Sequence, residues 1–337
     1  MYSFKDDYSE LGHEKVLNDL LKISKGQLDG YGLDSVSAEA QELIKKRFAL
    51  GNADIHFLSG GTQTNMILIH SALSSVEAVI AADSGHICVH ECAAIESCGN
   101  KIINIVNYNG MISPLDIEQV CKLHIDEHMI KPKLVYISQA TEKGTVYTKE
   151  ELKDIYQMCK KLGLYFYIDG ARLGTALVSE GTDIKAQDMA KLCDAFYIGG
   201  TKNGSPLGEA LCIINENLKK DFRYYLKQNG AMLAKGALIG SCFKTLFTDD
   251  LYFELAEYSN RLAQKLVKAF TGKGYKMSCH SPANLIFPVI DNGKLKELQK
   301  HYKFHTWEKV DENNTVIRLV CSFATDESEV DKFIEML

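Results

Sequence analysis

The sequence predicts an α/β fold with a second, smaller α+β unit at its C-terminal end, on three observations. Short apolar runs alternate with amphipathic helical stretches from Ile55 to Ile214, which marks a three-layer domain. Leu164–Ile168 and Ala195–Ile198 are apolar and aromatic without helical spacing, as strands buried on both faces are. From about Asp221 long helical segments take over, followed by strand candidates with helices between them. A chain of 337 residues exceeds one compact core and predicts more than one unit. The expected division is an N-terminal helical segment, 1–45, joining the small domain, then a large domain over 46–240 and the small domain over 241–337.

Composition narrows the class. A net charge of -6 argues against a nucleic-acid footprint. No apolar run reaches spanning length. The opening M-Y-S-F-K-D-D-Y-S lacks the apolar core of a secretory signal and the arginines of a transit peptide. A cytoplasmic protein is expected. The ten cysteines form no short-domain framework and read as reduced thiols packed as small hydrophobes.

In chain order, His13–Lys25 has helical spacing, Gly30-Tyr31-Gly32 breaks it, and Ser37–Leu50 is a second amphipathic helix with Ser35 or Ser37 as cap. Ile55–Leu58 is a short strand. Ser59-Gly60-Gly61-Thr62-Gln63-Thr64-Asn65 and a helix over Met66–Leu73 follow. Strand, glycine turn and helix together offer backbone N–H groups to a phosphate, so Gly60, Gly61 and Thr62 are phosphate candidates. Val76–Ala82 is the next strand, leading into Asp83-Ser-Gly-His86 and a helix to Gly99. His86, Cys88, His90, Cys92 and Cys98 follow no recurring zinc spacing, and no metal is expected.

Ile102–Val106 is a strand, and Ser113-Pro114 opens a helix ending near His128. Lys133–Ser138 is a strand. Thr148–Leu162 begins with the capping-box form Thr148-Lys-Glu-Glu151 and ends at Gly163. Asp169 closes the strand after it, with Arg172 a turn further on. Gly199-Gly200-Thr201-Lys202 closes the next strand, and Ala210–Ile214 follows. Ligands of open parallel sheets bind at the carboxyl ends of strands. A carboxylate for a pyridinium nitrogen and a lysine for a Schiff base are the protein groups that pyridoxal phosphate requires. Beyond, Phe222–Phe247 and 251–271 are helical, and Asn284–Ile290, Phe304–Val310 and Val316–Phe323 are strand candidates. Arg318, among apolar neighbours in the last of these, needs a counter-anion, from the protein or from a ligand.

Asp169-Gly-Ala-Arg172 followed at this interval by Thr201-Lys202 resembles the fold type I pyridoxal-phosphate enzymes, and within them the threonine aldolases and related β-eliminating lyases. The resemblance implies the aspartate aminotransferase-like architecture, with a mostly parallel seven-stranded sheet in the large domain. It implies that Lys202 carries pyridoxal 5'-phosphate, that Asp169 faces the pyridine nitrogen, and that Gly60, Gly61 and Thr62 hold the phosphate. Ala82-Asp83-Ser-Gly-His86 is similar to a family segment whose histidine stacks on the ring and acts on the substrate hydroxyl. That role falls to His86, as cofactor-binding and catalytic residue. Arg172, also a cofactor-binding residue, and Arg318 would bind the substrate carboxylate, and Tyr31 would lie near the cofactor as a substrate-binding residue. Lys235, or Lys227, would replace an arginine that reaches the phosphate of a neighbouring subunit, in a homodimer or homotetramer.

Two segments depart from that pattern. The family's L-R-S-D-T has its serine where Phe4-Lys5-Asp6-Asp7-Tyr8 puts an acid, expected to repel a carboxylate. A family histidine is replaced by Glu142 in Ala140-Thr141-Glu142-Lys143. The implied reaction is cleavage of a β-hydroxy-α-amino acid of the threonine type to glycine and an aldehyde. The alternatives are another pyridoxal-phosphate lyase acting on a different amino acid, which Asp6 and Glu142 favour, or a non-catalytic protein that keeps the cofactor.

Overall fold

A computed structural model describes residues 1–106 and 109–337. The chain opens with β1 (Tyr2–Ser3). The central sheet contains β2 (Asp54–Leu58), β3 (Glu77–Ala82), β4 (Lys101–Ile105), β5 (Lys131–Ser138), β6 (Tyr165–Asp169), β7 (Ala195–Gly199) and β8 (Glu209–Ile213). Its order is β2-β8-β7-β6-β5-β3-β4. Only β8 runs against its neighbours, antiparallel to both β2 and β7. Every residue of β7 and β8 is buried, because helices cover both faces of the sheet. The seven-stranded, mostly parallel sheet is the one the resemblance implies.

Local signals set most element ends. The helix Lys149–Leu162 has its capping box at Thr148 and Glu151, and Gly163 closes it at φ 67. Others shift for identifiable reasons. Asp34, rather than a serine, caps the helix Ser35–Phe48, accepting from Ser37 N–H. The helix expected from Met66 starts at Gly61. The helix expected up to Gly99 is two short pieces, His86–Val89 and Ala94–Ser97, separated by Cys92 and Ala93 at φ 50 and 59. The helix from Pro114 stops at Leu123. Phe222–Phe247 is divided into Phe222–Gln228 and Ala237–Phe247, with Gly230 at φ 67 between them.

Past the helix Leu251–Gly272 come β9 (Leu285–Ile286), β10 (Val289–Asp291), β11 (Tyr302–Lys303), β12 (His305–Lys309) and β13 (Asn314–Val320). The run Asn284–Ile290 is split at Pro288, which has no N–H for a ladder. β9, β10 and β12 all pair antiparallel with β13, and β1 pairs in parallel with β11. Phe4 packs in the C-terminal core with Leu266, Phe270 and Phe333. Val16, Ala40, Ile44 and Phe48 pack in the main core. Phe4 and Val16, both within 1–45, thus pack in different cores. The helix Leu251–Gly272 supplies Leu251 and Leu255 to one core and Leu262 and Phe270 to the other. Each such side chain, fully buried, stabilises the fold by roughly 1.5–3 kcal/mol.

Candidate active site

The carboxyl ends of β6 and β7 are held together by main chain. Gly199 N–H donates to Gly170 O at 2.9 Å. A Cβ on Gly170 would collide with the carbonyl of Tyr197, and one on Gly199 with the carbonyl of Ala171. Glycine is required at both positions by this close approach. Asp169 ends β6, and Lys202 follows β7 by three residues.

Asp169 is 3 % exposed and fully engaged. Its Oδ2 accepts from Asn65 Nδ2 at 2.8 Å and from Tyr136 OH at 2.7 Å, and its Oδ1 from Ala171 N–H at 3.0 Å. The same Asn65 amide donates to Glu91 Oε1 at 2.7 Å and accepts from Tyr167 OH at 2.8 Å. Glu91 Oε1 also meets His86 Nδ1 at 2.7 Å. With Nδ1–H donated to Glu91, the other ring nitrogen keeps its lone pair as a base. Burial works against protonation of His86, but the Glu91 bond and the charge of Asp169 outweigh it and raise its pKa above the ordinary value. Glu142 accepts from His86 N–H at 2.9 Å and Ser138 Oγ at 2.6 Å. Burial raises its carboxyl above the usual range.

Lys202 is held below the ordinary lysine value, by burial first and by Arg172 second, with Asp7, Asp169 and Glu209 pulling the other way. A lowered lysine is more often the neutral amine that attacks a carbonyl.

The two arginines differ. Arg172 is clamped by Asp7, with Nε to Oδ2 at 2.7 Å and Nη2 to Oδ1 at 3.0 Å. Asn284 Nδ2 adds a third bond to Asp7 Oδ2 at 3.0 Å. Burial opposes the charge on Asp7, but Arg172, Lys202 and these bonds hold its carboxyl below the usual range. Arg172, expected to bind the substrate carboxylate, thus has two of its donor nitrogens paired with Asp7. Arg318 lies on β13 with its Nε buried and unpartnered among the described residues. Its guanidinium carbon stands 5.0 Å from the Trp307 ring centroid. Asp6, expected to repel a carboxylate, instead faces His305, Oδ1 to Nε2 at 3.5 Å.

The helix Gly61–Ala72 has no side chain capping its start at Gly60. Its first-turn N–H groups, those of Gly61 and Thr62 among them, are the groups a phosphate can accept from. A Cβ on Gly61 would stand 2.9 Å from Tyr197 OH. Tyr31, at φ 62, donates its N–H to Ala234 O at 3.3 Å. Lys227 Nζ sits 4.9 Å from the Tyr31 ring centroid. Lys235 is exposed on the same connection. All three are exposed, and none of their described interactions reaches Lys202.

A cleft of about 940 Å³ is bounded by Tyr147, Asp183, His280, Phe287 and Trp307 among others, the last of them beside Arg318. Beside Lys202 lies a cavity of about 10 Å³, between Asp7, Arg172, Tyr252 and Asn284. In the segment considered for zinc, Cys88 Sγ donates to Ala82 O at 3.2 Å. Among the described residues no group of three His, Cys, Asp or Glu could hold a metal ion. All ten cysteines are free.

These residues fit a pyridoxal phosphate. An uncapped helix start suits the phosphate, a buried carboxylate suits a protonated ring nitrogen, and a lysine of lowered basicity suits the aldehyde. Asn65, Glu91, Tyr136, Tyr167 and Asp7 are site residues that the sequence reading missed. Glu91 and Asp7 lay inside segments already singled out.

Comparison with known proteins agrees. The family model for beta-eliminating lyases matches residues 7–291. A low-specificity L-threonine aldolase from a Pseudomonas strain is 31% identical over 313 residues, covering 92% of this chain and 89% of that protein. The solved structure of a Leishmania major threonine aldolase is 44% identical, with a TM-score of 0.98 over 99% of this chain and 98% of that one. A Thermus thermophilus aspartate aminotransferase, 15% identical with a TM-score of 0.72 over 100% of this chain and 90% of that one, shares the fold.

Proposed function

Since the chain belongs to the beta-eliminating lyase family, we propose that it is a pyridoxal-phosphate-dependent aldolase. It cleaves threonine or a similar β-hydroxy-α-amino acid to glycine and an aldehyde. The observation that carries this reading is the pair Asp169 and Lys202 at the carboxyl ends of two adjacent strands, tied by the Gly199–Gly170 bond. No described helix is long and apolar enough to cross a membrane.

When bound, the cofactor supplies an aldehyde for an amine and a ring that accepts the electron pair of a broken bond to Cα. The protein's residues do the rest. Lys202 provides the amine. Asp169, fixed by Asn65, Tyr136 and the Ala171 N–H, keeps a negative charge where the ring nitrogen needs a proton. The first turn of the helix Gly61–Ala72 takes the phosphate through the N–H groups near Gly60, Gly61 and Thr62. Arg318 offers its free donors to the substrate carboxylate, and fixing that carboxylate orients the bond to be broken. The free nitrogen of His86, with Glu91 behind the ring, accepts the proton of the substrate hydroxyl. Loss of that proton releases the aldehyde, and Cα then takes a proton to give glycine.

Tyr31, Lys227 and Lys235 support a site shared between subunits, since within one chain they face outward. Mixing Lys202→Ala with Lys235→Ala protomers should restore part of the lost activity if sites are shared. The reading is tested by borohydride reduction of the cofactor-loaded protein and peptide mapping. It requires the label on Lys202, and glycine and acetaldehyde released from threonine. Label on another lysine, or none, overturns it. A second reading, a lyase for another amino acid, draws on Glu142 where the threonine aldolases carry a histidine. A labelled Lys202 with threonine untouched in an amino-acid panel would favour it.

A further inference from the structure

Glu209 is 4 % exposed and takes no part in the reaction outlined above. It opens β8, directly opposite Gly199. Its Oε2 accepts from Gly200 N–H at 2.8 Å and its Oε1 from Thr201 Oγ at 2.9 Å. These are the two residues immediately before Lys202. Thr201 Oγ in turn accepts from Gly208 N–H at 3.1 Å. One carboxylate thus closes both ends of the 200–208 loop around the lysine. A glutamine has one accepting oxygen and an amide nitrogen that only donates, so it could accept one of these two bonds and carries no charge, and an apolar residue could accept neither. A buried ionised group is retained at a cost in desolvation, and the loop alone does not require a charge.

We propose that Glu209 is a positioning residue for Lys202: through its bonds to Gly200 and Thr201, its buried carboxylate fixes the turn that carries the lysine. This rests on the reading of Lys202 as the cofactor-bearing amine. The surroundings fit. Burial pushes the Glu209 carboxyl up to about 7, against the bonds from Thr201 and Gly200 and the charge of Lys202, with Asp169 pushing the same way as burial. The charge of Glu209 is felt at Lys202, and at the hydroxyls of Tyr167, Tyr197 and Tyr252 on β6, β7 and the helix Leu251–Gly272. Those hydroxyls are all pushed upward by burial and stay neutral. Above about pH 7 the anions acting on Lys202 are therefore Asp7, Asp169 and Glu209, set against Arg172.

The test is a pH titration of the visible absorbance of the full-length protein loaded with pyridoxal phosphate, wild type beside Glu209→Gln. Removing the negative charge should lower the midpoint by about one pH unit, with the folded structure retained by circular dichroism. Glu209→Leu, which removes the same charge, should show the same downward shift and serves if the glutamine variant does not fold. A midpoint unchanged in the folded variant overturns the proposal while leaving the cofactor reading intact. A wild type without a visible band, and without borohydride label at Lys202, overturns the cofactor reading instead.

Discussion

Arg172 and Arg318 carry the same charge into the same neighbourhood, yet the protein uses them differently. Arg172 stands at the turn after β6 and is gripped by Asp7 from the N-terminal arm, itself held by Asn284 near β9. Arg318 comes from β13, with Trp307 beside it and its Nε without an acceptor among the described residues. Both are lowered or raised by what surrounds them in opposite senses. Burial opposes the charge on Arg172, but Asp7 more than restores it and its pKa is raised. On Arg318 burial, then the nearby Arg172, wins and its pKa is lowered. A paired guanidinium ties the arm to the sheet. On the proposed reading, the one whose Nε has no acceptor among the described residues, next to an aromatic face, takes the substrate carboxylate.

The strongest way to break this contrast is Asp7→Ala. It leaves Arg172 charged and buried without its partner, and should cost about 3–5 kcal/mol of stability in urea unfolding. A loss under about 1 kcal/mol would mean that Arg172 is not structural. Arg318→Leu should behave oppositely. We expect kcat/KM to fall roughly 10²–10³-fold through lost carboxylate binding, with Tm scarcely changed. A large fall in Tm with KM untouched would reverse the assignment of the two arginines.

Glu91→Gln tests the base proposed to act on the hydroxyl of the substrate whose carboxylate Arg318 would hold. His86 has its pKa raised above 6.5 chiefly by overcoming burial through Glu91. Its base form therefore accumulates only as pH rises past that raised value. Removing the negative partner lowers the pKa, so the acid limb of the kcat/KM profile should move to lower pH. The maximum should fall roughly tenfold. An acid limb that stays in place would show that His86 is not the titrating group. Trp307→Leu should be mildest. Losing the aromatic face beside Arg318 costs about 0.5–1 kcal/mol, read as a few-fold rise in KM and no change in the pH profile.

Some of this was legible in the sequence because it is written locally. Asp169 and Lys202 each follow an unbroken apolar strand, and the end of a buried strand is where the sheet presents its ligands. The capping box at Thr148 and the stop at Gly163 need only their own neighbours. What was not legible depends on registers between distant elements. Asp7 meets Arg172 across 165 positions, and Asn65 reaches Asp169 across 104. Asn65 looked like the tail of a glycine turn because the helix was expected to begin at Met66. Starting it at Gly61 turns that residue inward, where its amide joins two carboxylates. The difference between the two arginines had no local sign at all, since only tertiary contact decides which one already has an acid.

The tie between Gly199 and Gly170 leaves no hinge between amine and acid. Neither turn accepts even a methyl group, so neither can slide past the other to suit a longer or shorter reactant. Breadth of substrate range must then be negotiated by the walls around a rigid pair. Efforts to retune this catalyst belong at Trp307, Glu142 and their neighbours, and changes to the strand ends themselves should dismantle it rather than redirect it.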